Sequence, residues 1–520
     1  MQSFPWLTTI GLVPLVGALV VFGLPVGLRH LARHLAVAVS TATLLLVVAM
    51  ATQFEVGRAG SQQFVELHEW IPQFGVSYAL GVNGLGLVMV ALAAVLVPVC
   101  LLASWHVVGT GDPIADDKRR ANFSALVLLL ETMIVGVFTA RDVFLFYVFF
   151  EAMLVPMYFL IGSFGGLRAR YAAMKFLLYS LAGGTLMLVA VIALYLQGPG
   201  GPQGFLTDNL TGLDFSSTGV GRWLFVGFFV AFAVKAPMWP VHTWLPDATA
   251  QAPAGVSVLL VGVLDKVGTF GMITLCLPLF PEASRWAVPV ILVLSVVSIL
   301  YGALVAIGQS DLMRLIAYTS ISHFGFIVLG VFTMTSAGQS GSMLYMVAHG
   351  FSTAALFLVA GMLTVRRGSQ RIGDFGGMQR VTPLLAGTFL FAGMSTLALP
   401  GLSNFISEFL VLVGTFSRYQ WAAILASIAL VLSAVYILLT YQRMMTGPVR
   451  ERVRDLPDMR TREAWVVAPL IAVILVLGFF PKPVLDVLNP AAETAMTQVG
   501  VTDPAPVAPL ASAADEGTDK

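Results

Sequence analysis

The chain has 520 residues, of which 58% are hydrophobic and only 11% are charged. Soluble domains carry about a quarter charged residues, so this composition excludes an ordinary soluble globular protein. It favours a bundle of membrane-spanning helices, because lipid offers backbone polar groups no hydrogen-bond partner. The net charge of +1 argues against a nucleic-acid partner, which requires a clustered basic surface.

The two cysteines, Cys100 and Cys276, are each isolated inside an apolar run. That spacing excludes a disulfide framework, a cysteine-ligated zinc site and an iron–sulfur cluster held by this chain alone. The sequence also contains neither a Walker-type phosphate loop nor a G-x-G-x-x-G turn between a strand and a helix. We therefore predict that the chain itself binds no metal and no cofactor.

Fourteen segments are long and apolar enough to cross a bilayer, which takes about 20 residues of helix. They are predicted at 6–28, 32–52, 84–107, 121–140, 143–164, 172–196, 222–247, 253–280, 286–307, 314–335, 342–364, 383–416, 420–441 and 464–481. The first lacks the basic region and cleavage site of a signal peptide. The sequence thus predicts an all-α polytopic membrane protein.

Lysine and arginine divide unevenly between alternate loops, with 18 on one side of the membrane and 7 on the other. The rich loops are 29–34, 113–120, 165–171, 308–314, 365–382 and 442–463. The positive-inside rule assigns these loops to the cytoplasm. Because the number of spans is even, both termini are expected on the outer side.

Two spans are interrupted by proline: the seventh by Pro237 and Pro240, and the twelfth by Pro400. The breaks lie five spans apart, which suggests that spans 4–8 and 9–13 form an inverted repeat. Transporters built in this way use broken helices along an ion path; simple proline kinks are the alternative. The predicted regions are 1–120 with three helices, 121–280 and 281–441 with the two repeats, 442–499 with a cytoplasmic loop and the last helix, and 500–520 as a disordered tail rich in Pro, Ala and acids.

Several ionisable side chains fall inside the predicted spans, where each acid or base costs roughly 2.5 to 3.5 kcal/mol to insert. They are Glu131, Glu151, Lys235, Asp265, Lys266, His323, His349 and Glu408. A bundle that needed only packing could use Leu and Ala at these positions. We interpret the set as a path for protons.

Glu151 lies in the middle of the apolar run FLFYVFFEAMLVPMYFLIG, and Lys235 directly precedes the Pro237 break. A buried lysine can hold or release a proton. We predict that Glu151 and Lys235 form an ion pair that opens and closes, with the proton of the lysine labile while the pair is open. A static intramembrane salt bridge is the alternative.

Lys266, His349 and Glu408 follow in later spans, in an order that suits a relay starting at Lys235. Neutral histidine is well suited to handing on a proton. His323 is either a further member of this line or a hydrogen bond between helices.

Three side chains are weaker candidates for proton transfer. Glu131 would either end the line or bond to a neighbouring hydroxyl, and His242 would admit protons near the end of a half-helix. Asp265 adjoins Lys266, but adjacent helical residues point about 100° apart, so the two are not a natural ion pair.

Five stretches resemble the antiporter-like subunits of respiratory complex I, a family shared with Mrp cation/proton antiporters and membrane-bound hydrogenases. They are DVFLFYVFFEAMLVPMYFLIG, KAPMWPVHTWLPDA, DLMRLIAYTSISHFGFIVLG, VAHGFSTAALFLVAG and LALPGLSNFISEFLVLVGTF, and they are distributed over 121–440. The first stretch and Glu408 resemble the subunit M branch, whose mitochondrial counterpart is chain 4. The sister subunits L and N and the Mrp relatives usually have lysine at the position of Glu408.

The resemblance implies fourteen helices with an inverted repeat. It also implies that Glu151 and Lys235 match the pair on helices five and seven of the family. Lys266 would match the central lysine, His349 the relay histidine and Glu408 the terminal group.

The implied function is proton translocation by a membrane subunit of NADH:quinone oxidoreductase in a bacterial inner membrane, coupled to electron transfer elsewhere. NADH, FMN, iron–sulfur clusters and quinone are expected in partner subunits. The implied partners are the membrane subunits L, N and their neighbours, and the peripheral redox arm.

The chain departs from the family pattern at Asn83, Thr249, Asp265 and Met313. None of these departures touches the core relay, but they leave the route of proton entry open. Two other functions remain open. One is a subunit of a Mrp-type cation/proton antiporter driven by an ion gradient. The other is a passive membrane scaffold whose buried charges only fix helix register.

Overall fold

The computed structural model describes residues 4–105, 113–215 and 219–505. Within these ranges eleven helices are long and apolar enough to cross a membrane, which confirms the predicted all-α polytopic fold. The other three predicted spans correspond to the shorter helix Trp6–Phe22 and to two broken helices. Residues 106–107 of the third predicted span and 506–520 of the predicted tail lie outside the described residues.

Most helices follow one another with short connections. In the first half they are α1 Trp6–Phe22, α2 Ala32–Ala51, α3 Gly84–Ala103, α4 Pro113–Thr139, α5 Val143–Ala152, α6 Leu154–Phe164, α7 Ala169–Gln197, α8 Thr207–Leu210, α9 Val220–Lys235, α10 Trp244–Gln251, α11 Ala254–Leu259, α12 Lys266–Gly271 and α13 Leu277–Leu279. In the second half they are α14 Pro281–Ile307, α15 Leu312–Phe332, α16 Ser336–Arg367, α17 Met378–Val381, α18 Pro383–Thr396, α19 Ser403–Arg418, α20 Gln420–Met445, α21 Thr461–Phe479 and α22 Lys482–Val499.

Several boundaries differ from the sequence prediction. Residues 113–120, predicted as a loop, form the first turns of α4. The fifth predicted span divides at Met153 into α5 and α6, because the ring of Pro156 cannot sit against the carbonyl four residues earlier in a regular helix. A separate helix, α22, follows the last predicted span and packs against α3 and α16.

A β-hairpin, which the sequence analysis did not foresee, joins α2 to α3. Its antiparallel strands are β1 Gln63–Ile71 and β2 Val76–Val82. Gly75 closes the turn in the left-handed conformation with φ 71°, which glycine adopts without steric cost. The hairpin is too short and too polar on β1 to cross a membrane, so it lies at one end of the bundle.

Alternate loops gather at two opposite ends of the bundle, as successive crossings of a membrane require. One end, which we call the hairpin face, is formed by residues 53–83, 197–215 and 480–505. These segments contact one another; for example, the Thr494 hydroxyl donates a hydrogen bond to the carbonyl oxygen of Gly60. The opposite end, which we call the arginine face, is formed by residues 308–311, 368–382 and 446–460. There the carboxylate of Asp458 accepts hydrogen bonds from the first amides of α18.

Large apolar side chains cover the outside of the bundle between the two faces. Examples with more than half of their surface exposed are Leu19, Leu45, Leu178, Val189, Val290 and Val431. Such a surface would be unfavourable in water but suits contact with lipid chains. By contrast, α11–α13, α15 and α16 are almost entirely surrounded by protein and form the centre of the molecule.

Asp142 ties the hairpin to the start of α5. One carboxylate oxygen accepts from the amides of Phe144 and Leu145, both at 2.9 Å, and so caps the helix. The other oxygen accepts from the amide of Ser77 in β2 at 2.8 Å. Burial raises the pKa of the Asp142 carboxyl, and these three donors oppose that shift.

We predict that Asp142→Ala lowers the free energy of unfolding by about 1–3 kcal/mol, because three amides lose their acceptor and α5 loses its cap. The measurement is the unfolding temperature of the detergent-solubilised chain. Asp142→Asn keeps an oxygen acceptor, so its unfolding temperature should lie between those of the parent and Asp142→Ala. An Asp142→Ala protein as stable as the parent would contradict this account of the contact.

Candidate functional site

The break between α9 and α10 sets the position of Lys235, the last residue of α9. Pro237 disfavours helical geometry at the residue before it, and Ala236 leaves the helix with ψ 63°. The carbonyl of Val234, near the end of α9, accepts from the indole of Trp244 at 3.0 Å. The structure thus places Pro237 and Pro240 in a break whose backbone groups find partners.

The ammonium of Lys235 is fully buried and has no hydrogen-bond partner among the described residues. It lies 5.1 Å from the ring centre of Phe150 and 5.3 Å from that of Phe176, within the range of cation–π attraction. The acids within electrostatic range are Glu151 and Asp265. Glu151 and Lys235 therefore lie near each other without a direct bond.

Glu151 lies at the end of α5, with its side chain packed against α7. An ideal Cβ built on Gly184 would lie 1.7 Å from Glu151 Oε1, so the carboxylate occupies space that only glycine leaves free. That oxygen has no hydrogen-bond partner in the described part of the chain. Gly184 therefore fixes how far the carboxylate reaches toward α7.

Lys266 lies in a helix that contains two π-helical segments, Leu260–Leu264 and Met272–Cys276. The amide of Asp265 bonds to the carbonyl of Leu260 at 3.0 Å, not to that of Val261 as in an α-helix. The Val261 carbonyl instead accepts from Lys266 Nζ at 2.6 Å. Such π segments are common at functional sites.

A line of side chains continues from Lys266 across three further helices. Lys266 Nζ lies 2.8 Å from His349 Nδ1 on α16. The rings of His349 and His323 on α15 have centroids 5.3 Å apart. His323 Nδ1 lies 2.5 Å from the hydroxyl of Tyr345, which donates to Glu408 Oε2 on α19 at 3.0 Å. The structure therefore brings Lys266, His349, His323 and Glu408 together.

A cluster of small polar groups lies at the second helix break, about one helical turn before Glu408 on α19. Pro400 lies between α18 and α19. The hydroxyl of Ser352 on α16 contacts those of Ser395 and Ser403 at 2.7 and 2.9 Å, and donates to Asn404 Oδ1 at 2.9 Å. This cluster joins α16 to both halves of the broken helix.

The remaining candidates are not joined to the line by hydrogen bonds. Glu131 on α4 and Asp265 are fully buried, and none of their carboxylate oxygens has a partner among the described residues. His242 lies between α9 and α10 with its ring 5.1 Å from that of Tyr301, and neither ring nitrogen has a partner in the described ranges.

The sequence analysis missed two features of the site. The first is Tyr345, which lies one helical turn before His349. Because residues four apart share a helix face, this spacing could have identified Tyr345 from the sequence. Asp247 on α10 binds Lys175 Nζ at 2.6 Å and Arg314 Nη1 at 2.5 Å, which ties the broken helix to α7 and α15. The sequence signal for these ion pairs was a carboxylate that follows the proline break, together with basic residues in other predicted spans.

Two cavities open at the opposite ends of the bundle. One of about 700 Å³ opens at the arginine face beside Gln251, Gly361 and Gln370. The other, of about 180 Å³, opens at the hairpin face and reaches Phe146 and Phe270. Phe270 follows Lys266 by one turn of α12, and Phe146 precedes Phe150 by one turn of α5. In the described part of the chain, no three His, Cys, Asp or Glu side chains gather to hold a metal ion.

Comparison with known proteins gives concordant results. Residues 140–433 match the family described as NADH:quinone oxidoreductase/Mrp antiporter, TM. The chain is 51% identical to NADH-quinone oxidoreductase subunit M of Mycobacterium tuberculosis, over 97% of this chain and 96% of that one. It aligns with a chain of respiratory complex I from Thermus thermophilus with TM-score 0.84 and 31% identity, covering 95% and 100% of the two chains.

A chain of the Mrp complex from Dietzia has the same TM-score of 0.84 but only 23% identity, over 96% of this chain and all of that one. This likeness shows a shared fold.

We predict that Gly184→Ala lowers the free energy of unfolding by about 1–3 kcal/mol, because the new methyl group must displace the Glu151 carboxylate. Gly387→Ala is the matched control, since a Cβ there meets nothing within 4 Å. In a Glu151→Ala background the cost of Gly184→Ala should largely disappear. Equal costs in both backgrounds, measured as unfolding temperatures, would show that Glu151 does not lie against Gly184.

Proposed function

Because the chain belongs to the NADH:quinone oxidoreductase/Mrp antiporter family, we propose that protons cross it along buried side chains from Lys235 to Glu408. The chain is a proton-translocating membrane subunit of the NADH-quinone oxidoreductase complex, and its partners are other subunits of that complex. The observation that carries the proposal is the line from Lys266 through His349, His323 and Tyr345 to Glu408.

The hydrogen-bond directions of this line are mutually consistent. If the Lys266 ammonium donates to His349 Nδ1, the proton of that neutral imidazole lies on Nε2. If Tyr345 donates to Glu408, its oxygen accepts from His323 Nδ1, which leaves His323 Nε2 as an acceptor. The line then holds a donor at His349 Nε2 and an acceptor at His323 Nε2, and neither atom has a hydrogen-bond partner among the described residues.

A proton can therefore travel by successive exchange. Lys266 gives a proton to His349 Nδ1, and His349 releases its Nε2 proton to His323 Nε2, directly or through one water. His323 passes its Nδ1 proton to the Tyr345 oxygen while the hydroxyl proton moves to Glu408. The net change is one proton lost by Lys266 and one gained by Glu408, with the tautomer of each histidine reversed.

Glu151 and Lys235 would control the supply of protons to this line. At 4 Å and an effective dielectric constant of about 20, closing the pair yields on the order of 4 kcal/mol. Moving one charge against 100 mV costs about 2.3 kcal/mol. Opening and closing this one pair therefore has the energetic scale needed to gate a proton.

The cavities at the two ends support access for protons from both sides of the membrane. The hairpin-face cavity reaches within one helical turn of Lys266, along α12, and of Phe150 beneath Lys235. The arginine-face cavity adjoins α11 and α16, the helices that lead to Lys266 and His349. His242 and Glu131 are further candidate groups for proton transfer on these access routes.

Several finer assignments belong to the same proposal. The subunit would lie in a bacterial inner membrane with the arginine face in the cytoplasm and both termini outside. Its neighbours would be subunits L and N and the peripheral redox arm, with NADH, FMN, iron–sulfur clusters and quinone bound in partner subunits. Residues 121–280 and 281–441 would be the two inverted copies, each containing one helix break.

The alternative of an ion-gradient-driven antiporter has weaker support, since the relatives at the highest identities reported above are subunits of NADH-quinone oxidoreductase. Solubilisation followed by mass spectrometry separates the two, because co-purifying NADH dehydrogenase subunits are expected only for complex I. The passive-scaffold function is tested by variants of the relay residues: loss of proton pumping in a complex that assembles normally would exclude it.

We predict that Tyr345→Phe slows proton transfer through this subunit by roughly 10²-fold, the scale of one positioned acid–base group. Phenylalanine fills the same space but cannot join His323 to Glu408. The measurement is the number of protons pumped per NADH oxidised by membrane vesicles containing the assembled complex. Tyr195→Phe, at the stacked contact with Phe205 on the hairpin face, is the control and should pump normally.

We also predict that Lys235→Ala leaves the complex assembled and able to oxidise NADH but lowers proton pumping. The alanine removes the buried base while the Pro237 break remains. Lys482→Ala, which removes an exposed lysine paired with Asp486, serves as the control. If the assembled Lys235→Ala complex pumped like the parent, the scaffold interpretation would replace the relay.

A further inference from the structure

The line of side chains begins at Lys266, and the structure shows no hydrogen bond that joins Lys235 to it among the described residues. Lys235 Nζ has no partner, whereas Lys266 Nζ contacts Val261 and His349. A proton that starts near Lys235 needs an intermediate group to reach Lys266. The position of Asp265 is suited to this role.

The helix α12 packs tightly on the end of α9. An ideal Cβ on Gly268 would lie 2.5 Å from the carbonyl oxygen of Phe232 and 2.6 Å from the amide of Ala236. Asp265 precedes Gly268 by three residues, and residues three apart share a helix face. Asp265 therefore lies on the face of this helix that contacts the last turn of α9, where Lys235 is located.

Lys266 points to a different neighbour. Adjacent helical residues are about 100° apart, and Lys266 reaches His349 on α16. The same helix approaches α16 closely, since a Cβ on Gly350 would lie 3.1 Å from the carbonyl oxygen of Gly262. The two neighbouring residues thus face two different helices, α9 and α16.

Asp265 is fully buried, and neither carboxylate oxygen has a hydrogen-bond partner among the described residues. Both Lys235 and Lys266 lie within its electrostatic range. The region holds two basic groups, Lys235 and Lys266, and two acidic groups, Glu151 and Asp265. Without Asp265, the two lysines would share one acid, and an uncompensated buried charge is strongly unfavourable.

We propose that Asp265 is the group that carries the proton from Lys235 to Lys266. The proposal rests on the proposed relay and supplies its missing step. The Lys235 ammonium gives a proton to the Asp265 carboxylate, directly or through one water, leaving a neutral amine and a carboxylic acid. The acid then gives its proton to the neutral amine of Lys266, and the carboxylate is restored. The net change is one proton lost by Lys235 and one gained by Lys266.

The test replaces Asp265 in the intact complex and measures protons pumped per NADH oxidised. Asp265→Asn has nearly the same shape but cannot carry a proton, and we expect proton transfer to fall by at least about 10²-fold. Asp265→Glu retains a carboxylate and should recover most of the loss. The matched control is Asp142→Asn, a buried aspartate outside the relay, which should pump normally. Normal pumping by the assembled Asp265→Asn complex would overturn the proposal.

Infrared difference spectroscopy provides a second readout if Asp265→Asn prevents assembly. In the parent complex oxidising NADH, we expect a carboxylic-acid carbonyl band that changes during turnover and shifts in Asp265→Glu. A spectrum in which no such band moves between these two proteins would also overturn the proposal.

Glu408→Gln separates failure of this step from failure of the whole relay. If Glu408→Gln stops pumping while Asp265→Asn pumps normally, the relay stands and only the role of Asp265 is wrong. If both variants pump normally, the proposed function itself fails.

Discussion

The structure depends on one constraint: ionisable side chains in a lipid interior must be shielded from lipid and balanced by one another. Lys235, Asp265, Lys266, His349 and Glu408 are almost completely buried at the centre of the bundle, where the surrounding helices replace lipid with protein. Uncompensated charge at such depth is costly. The groups therefore lie close enough to interact, and the proposed relay depends on the same closeness.

Irregular backbone occurs where these groups lie. Lys235 ends a helix at a proline break, Lys266 follows a π segment, and Glu408 lies just beyond the second break. Each irregularity leaves carbonyl or amide groups that need a partner, and side chains supply several of them, as Lys266 does for Val261. Broken helices are tolerated at membrane depth only where protein or water meets their polar groups. The breaks and the buried charges thus support each other.

The two ends of the bundle hold this centre in place. At the hairpin face, Glu66 accepts hydrogen bonds from the first amides of α1, and Asp142 does the same for α5. At the arginine face, Asp247 joins α10 to α7 and α15 through two cations. Since α10 is the second half of the broken helix, this contact limits how far the break beside Lys235 can move.

The sequence by itself determined the crossings, the two breaks and which spans contain ionisable groups, because the transfer free energy of a side chain depends mainly on its own chemistry. It left open which groups meet. In the sequence, little distinguishes Tyr345 from other residues of an apolar helix. In the structure it forms hydrogen bonds with His323 and Glu408, which lie on two other helices. The separate directions of Asp265 and Lys266 depend likewise on which helices pack against α12. Only the tertiary structure decided these contacts, because helix rotation and π-segment register arise from packing between segments far apart in the chain.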